Sequence, residues 1–286
     1  MHILPQLILG LILSGLISYG GYRKQALSET GVVGALLIGA TTFGFGGWIW
    51  GMLLITFFVL SSALSYYKKA AKKELSEKFA KGARRDLGQT LANGGAGMLI
   101  ALGSLFSGNA TLLAAFTGAM ATVNADTWAT ELGVLSKQPP RLITNGKTVE
   151  PGTSGGISLL GTFATFLGGL VIGIAGILFL LIDKTIGGYA TAQNGINTAG
   201  ELLALLPAAA LGGLAGSLCD SLLGATVQAI YYSTQREKET ERDTEPDGTP
   251  NHHLRGWRWL NNDWVNFLSS LVGALVAALA WKFLAA

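Results

Sequence analysis

Charge is scarce in this chain. Only 13% of the residues are charged while 50% are apolar, and several apolar runs exceed the ~18 residues that a membrane helix needs. Stretches that alternate apolar and polar residues are missing, which argues against a transmembrane β-barrel. A single cysteine, Cys219, permits no internal disulfide and leaves the redox compartment unread. The His252–His253 pair has no Cys or carboxylate at ligand spacing and reads as surface. A Walker loop is also absent. Gly146-Lys147-Thr148 resembles its end, but the position that requires glycine holds Arg141. What remains is an all-α, polytopic integral membrane bundle of about eight transmembrane helices, whose 40 glycines suit close helix contacts in lipid.

The chain reads as one membrane domain over residues 1–286. Its first run, about 3–19, lacks a basic leader and a clear cleavage site, so it is expected to stay as a helix. Runs near 31–45 and 48–67 sit back to back around Gly44, Gly46 and Gly47. A fourth helix ends near Phe106, Ser107-Gly108-Asn109 forms a turn, and a fifth follows. Further runs cover 157–182 and 202–232, the second kinked at Pro207, and the last helix opens at NNDWVN, Asn261 to Asn266, with Asn262 or Asp263 as its cap. The basic stretch 68–88 carries Ala71, Leu75, Phe79 and Ala83 at four-residue spacing. It reads as a helix lying on an anionic membrane surface. Loops 134–156 and 233–262 fall on the same side, and the second reads as a charged surface loop. Eighteen of the twenty Lys and Arg lie in these three segments and beside Arg23. The positive-inside rule makes that face cytoplasmic and places both termini outside. Trp257, Trp259 and Trp264 read as an interfacial aromatic belt.

The chain is organised around NADTWATELG, Asn124 to Gly133, which sets Asp126 and Glu131 at the edge of an apolar run. An ionised side chain at membrane depth costs at least ~2.5 kcal/mol and usually marks a functional site. A shorter copy follows at Cys219-Asp220-Ser221. Each Asp has a glycine eight residues upstream, Gly118 and Gly212. On an ideal helix Asn124, Thr127 and Glu131 share one face while Asp126 points nearly opposite. The fifth helix is therefore expected to be enclosed by protein or to break near Ala125.

Other polar elements start at the same face. Asp86, Gln89 and Asn93 form a stripe that enters the fourth helix beside Arg84 and Arg85. PGTSGG, Pro151 to Gly156, precedes a long apolar run, and such a loop can present free amides to an anion. Asn262 and Asn266 share a helix face. Carboxylates among amides and hydroxyls suit Mg²⁺ held through oxygens and waters. With Arg84, Arg85, Arg141 and the amides of Thr153, Ser154, Gly155 and Gly156 as a phosphate cradle, the set suits phosphoryl transfer to a lipidic acceptor. A transporter or flippase for a lipid phosphate or small anion is the second reading.

RRDxxQxxxNG (Arg84 to Gly94), NADTWATELG, PPRLIT (Pro139 to Thr144), PGTSGG, CDSLLGA and NNDWVN together resemble the membrane family that includes the phytyl-phosphate kinase of the vitamin E pathway, called transmembrane-protein-19-like in animals. The resemblance spans nearly the whole chain. It implies transfer of a phosphoryl group from a nucleoside triphosphate, CTP or another, to an isoprenyl monophosphate. Phytyl phosphate is the foremost acceptor, yielding phytyl diphosphate for tocopherol or phylloquinone synthesis. The setting is a bacterial inner membrane or a thylakoid-type membrane. The partners are the bilayer, the lipid phosphate and the nucleotide, with no nucleic acid and with self-association left open. Asp126, Glu131 and Asp220 are expected to serve as catalytic carboxylates and Mg²⁺ ligands. Asp86, Gln89, Asn93, Asn124, Asn262, Asp263 and Asn266 are expected to form the polar wall.

Overall fold

The computed structural model describes residues 3–67, 84–106 and 109–286. The expected surface helix over Lys68 to Ala83 and the Ser107-Gly108 turn lie outside the described residues. Among those described, helices dominate: α1 (Ile3–Arg23), α2 (Glu29–Thr41), α3 (Trp48–Tyr66), α4 (Leu87–Gly103), α5 (Ala110–Gly133), α6 (Leu159–Thr185), the short α7 (Tyr189–Gln193), α8 (Ala199–Thr226) and α9 (Asn262–Leu284). The protein is an integral membrane helical bundle.

Among the described residues, six helices are long and apolar enough to cross a membrane: α1, α2 with the π turn Thr42–Gly46 that prolongs it, α3, α6, α8 and α9. This number differs somewhat from the expected count of about eight, at α4 and α5. The first has only 17 residues, and Asn124, Asp126 and Glu131 lower the hydropathy of the second. Yet α5 is the central helix. It packs against α3, α4, α6, α8 and α9, its residues from Phe116 to Ala125 are all buried, and it continues unbroken through Ala125. Enclosure by protein is what lets its two faces both be polar near the end.

The helix ends sort into two layers. At one end Trp48 donates to Asp183, Trp50 to Asn194, and Trp281 to the Glu201 carbonyl. At the other lie the 24–28 turn, Arg84–Asp86, the 134–158 loop and the 227–261 segment, and Ser28 and Arg85 exchange backbone bonds with each other's neighbourhood. The described parts of the basic loops therefore gather at one end, as read from their charge.

Two segments depart from expectation. The helix expected over 202–232 ends at Thr226, and Ile230–Ser233 instead becomes β3, paired with β4 (Lys238–Thr240) and β5 (His252–Arg255) in the order β4-β3-β5. The 233–262 stretch is thus a small antiparallel sheet rather than a plain loop. The second departure is a two-residue pair, β1 (Arg141–Leu142) with β2 (Gly156–Ile157), which ties PPRLIT to PGTSGG. Gly146 turns the hairpin between them at φ 69°, a conformation that favours glycine. Helix α8 runs on through Pro207.

Candidate functional site

Small residues set the geometry of the site. Gly118 on α5 and Gly212 on α8 meet each other and the same patch of α9. A Cβ on Gly118 would stand 2.6 Å from the Gly273 carbonyl, and one on Gly212 would stand 2.7 Å from it and 3.3 Å from Gly118 Cα. One turn further on, Gly216 packs against Thr122, whose hydroxyl donates to the Gly212 carbonyl at 3.2 Å. One turn beyond that come Asp126 and Asp220. The offset between the helices is constant, so α5 and α8 run parallel in register. Eight residues carry each Asp about 12 Å beyond the glycine contact. Asp126 and Asp220 consequently come within electrostatic reach of each other and of Glu241.

These carboxylates stand in a cavity of about 1800 Å³ at the end of the bundle where the basic loops gather. Asp126 lies beside the Ser217 hydroxyl. One Asp220 oxygen, Oδ2, is buried without a hydrogen-bond partner. Burying such an atom is costly unless something else satisfies it. Gln89, Asn93, Asn262, Asp263 and Asn266 line the cavity, as do Arg84, Arg85 and Thr153 to Gly156. The helix cap at the last element is Asn261, which accepts from Trp264 N. Asn262 and Asp263 are thereby left to face the cavity.

Both arginines of the RRD motif are braced. Arg84 donates through Nε to the Leu27 carbonyl and lies 5.5 Å from the Tyr22 ring centroid. Arg85 donates to Ser62 at 2.9 Å. Burial lowers the pKa of Arg85 from its ordinary value, and Glu131 and Tyr66 oppose the shift. Glu131 thus belongs to the wall of Arg85, whereas Asp126 faces Asp220. The i, i+5 spacing turns the two side chains of α5 apart. Among the described residues no three His, Cys, Asp or Glu side chains group closely enough to enclose an ion.

PGTSGG is seated on the end of α8. Gly155, at φ 83°, has no room for a side chain against Ala225. The Thr153 and Gly156 amides close turns onto Glu150 and Thr153. The expected four-amide cradle is therefore reduced to Ser154 and Gly155, whose amides have no partner among the described residues. The Ser154 hydroxyl donates to buried Gln228, and Gln228 donates to Glu241 at 2.9 Å. That chain joins the loop to the β3–β4 hairpin.

Three residues expected in the site lie outside its lining. Asp86 is the N-cap of α4, locked in a reciprocal capping box with Gln89. Asn124 is fully buried and bonds helices together, donating to the Gly168 carbonyl at 2.8 Å and accepting from Ser61. Arg141 is exposed and donates to Gly146 O within its own hairpin. Asp86→Ala should cost about 1 kcal/mol of stability through the lost cap and leave turnover of the folded protein unchanged, measured by thermal melt and activity together.

Sequence reading missed Ser217, Gln228, Glu241, Arg236, Arg242 and Arg258. All but Gln228 line the cavity. The four charged ones lie in or beside strands of three or four residues, too short for a periodic signal. Arg236 pairs with buried Glu245 at 2.8 Å. Ser233 and Asn251 hydrogen bonds and the neighbouring arginines hold the Glu245 carboxyl below its ordinary range. A depressed carboxylate stabilises the fold above its unfolded pKa, and that contribution is lost as pH falls through the lower folded value. Hydrogen exchange of residues 230–255 should therefore accelerate only below the ordinary glutamate range.

Residues 12–274 match the family described as integral membrane protein DUF92. Protein PGR of Arabidopsis thaliana is 32% identical, with 98% of each chain covered. An uncharacterized membrane protein of Methanocaldococcus jannaschii is 30% identical over 98% of this chain and 97% of its own. Protein VTE6, chloroplastic, of Arabidopsis thaliana is 24% identical over 90% of this chain and 66% of that protein. No solved structure matches the chain. The resemblance read from the motifs holds at the level of the family: this protein belongs to the DUF92 integral membrane proteins.

Proposed function

We propose that this protein is a membrane phosphotransferase that moves the γ-phosphoryl group of a nucleoside triphosphate to an isoprenyl monophosphate, phytyl phosphate first among them. The carrying observation is a single cavity in which the Asp126–Asp220 pair, with its unpartnered buried oxygen, faces arginines from several elements. Similarity to a chloroplastic relative is in keeping with a thylakoid-type or bacterial membrane.

The donor set fits Mg²⁺, which takes one or two carboxylates and completes its shell with phosphate oxygens and waters. Asp126 and Asp220 would hold it, and when bound it would neutralise the phosphates. An oxygen of the acceptor phosphate attacks the γ-phosphorus, the bond to the bridging oxygen breaks, and the nucleoside diphosphate leaves. The attacking oxygen is already anionic, so no general base is needed. Arg84 and Arg85 hold the acceptor phosphate. Arg242 and Arg258, which line the same cavity from the 238–258 segment, with the Ser154 and Gly155 amides, hold the donor. Positioning and charge neutralisation supply most of the catalysis in such a transfer.

Beneath the carboxylates the centre of α5 is closed. Phe116, Ala119, Met120 and Ala121 are fully buried, and the Thr117 and Thr122 hydroxyls bond back to their own helix. That closed floor favours chemistry over transport. Reconstituted protein with Mg²⁺, phytyl monophosphate and each of four nucleoside triphosphates should yield diphosphate by mass spectrometry, and EDTA should stop it. Flux of lipid phosphate without nucleotide, and no product, would favour the transporter. Arg242→Ala should raise KM for the nucleotide about tenfold or more and leave KM for the lipid phosphate unchanged.

A further inference from the structure

Behind Arg85 the polar cavity meets a second, nearly wholly apolar slot between α1, α2, α3 and α4. Arg85 and Asn93 line both spaces. Besides these shared residues the slot is lined by Phe58, Leu54, Ile38 and, in the π turn, Phe43. Resting on the proposed transfer to a lipid phosphate, we infer that this slot receives the single isoprenoid tail of the acceptor while Arg85 holds its phosphate at the mouth.

Three observations converge on that occupant. The slot starts at a braced cation, the Arg85 guanidinium standing 5.8 Å from the Phe58 ring centroid, so an anionic head and an apolar tail would both be matched. The slot is narrow, with about 70 Å³ of open volume. A water's share of liquid is about 30 Å³, so the resting slot has space for only a few methyl groups. A tail therefore enters only by parting the helices. The wall that can part is also identifiable. α1 packs chiefly on α2 and the π turn, with Leu4, Ile8, Leu11, Ile12 and Leu16 exposed on its outer side, and π turns often occur at functional sites.

The test uses the full-length protein in nanodiscs and a phytyl monophosphate bearing a diazirine in its tail. Labelled residues are mapped by mass spectrometry with and without excess unlabelled phytyl monophosphate. Competed label on Ile17, Ile38, Leu54 or Phe58 is the expected result. Competed label confined to α6, α8 or α9, or label that unlabelled lipid does not compete, would overturn the slot. Neither result depends on turnover, so a protein that labels in the slot yet makes no diphosphate would refute the kinase reading and leave the tail site standing. Ala35→Phe, which narrows the slot from α2, should raise KM for the phytyl substrate about tenfold and leave KM for a five-carbon isoprenyl monophosphate unchanged. Equal effects on both substrates would count against the slot.

Discussion

Asp220→Asn is expected to reduce turnover about a thousandfold, the scale seen when one preorganised polar group is lost from a charged transition state, without unfolding the protein. The stability half of this expectation comes from geometry. Asp220 Oδ2 makes no hydrogen bond, the Ser269 hydroxyl beside the carboxyl can donate equally to an asparagine amide oxygen, and Asp126 and Glu241 are like charges within electrostatic reach. Removing one negative charge from that group relieves repulsion. The melting temperature should stay level or rise, as when a strained functional site is given up for stability. Asp126→Asn should lose turnover likewise. If these carboxylates served helix packing alone, the same changes would lower stability and leave any activity of the folded fraction intact. Assaying melting and turnover on one preparation separates the two.

Gly118→Val should have the largest structural effect. Its side chain would enter the place where α5 meets Gly273 and Ala277 of α9, close to Gly212 of α8. Overpacking of this kind costs typically ~1–3 kcal/mol, and here backbone atoms would have to move. Displacing α5 against α8 also shifts Asp126 from Asp220, so both melting temperature and turnover should fall. Gly103→Ala supplies the contrast. Nothing lies within 4 Å of a Cβ there, so the exchange should be neutral or stabilising by about 0.5–1 kcal/mol. Equal effects of the two substitutions would remove the special role of the glycine contact.

The helical class, the face on which the basic loops gather, and the kinship of Asp126 with Asp220 were all legible in the sequence. The last rested on a repeat, glycine to aspartate over eight residues, because a repeat on parallel helices has a geometric meaning. Partners in space were less legible. Asp86, Gln89 and Asn93 form one stripe by spacing, yet Asp86 is spent on its helix cap while the other two line the cavity. Asn124 and Asp126 are adjacent in sequence, but the first is sealed between α3 and α6 and the second faces α8. The 233–262 segment was the least legible part. Its charges suggest a solvated loop, and only tertiary pairing of three short strands brings Arg236, Glu241 and Arg242 over the cavity. Ser154 and Glu241, 87 positions apart, are linked through Gln228, a relation that no local pattern records.

The most direct measurement follows the phosphorus itself. Purified protein is given nucleoside triphosphate labelled at the γ-phosphate, Mg²⁺ and unlabelled phytyl monophosphate, beside the Asp220→Asn variant. Label in the terminal phosphate of phytyl diphosphate, absent from the variant, is the expected result. Folded wild-type protein that binds the lipid phosphate but leaves all label on the nucleotide, with phytyl, farnesyl and geranylgeranyl monophosphates alike, would contradict it.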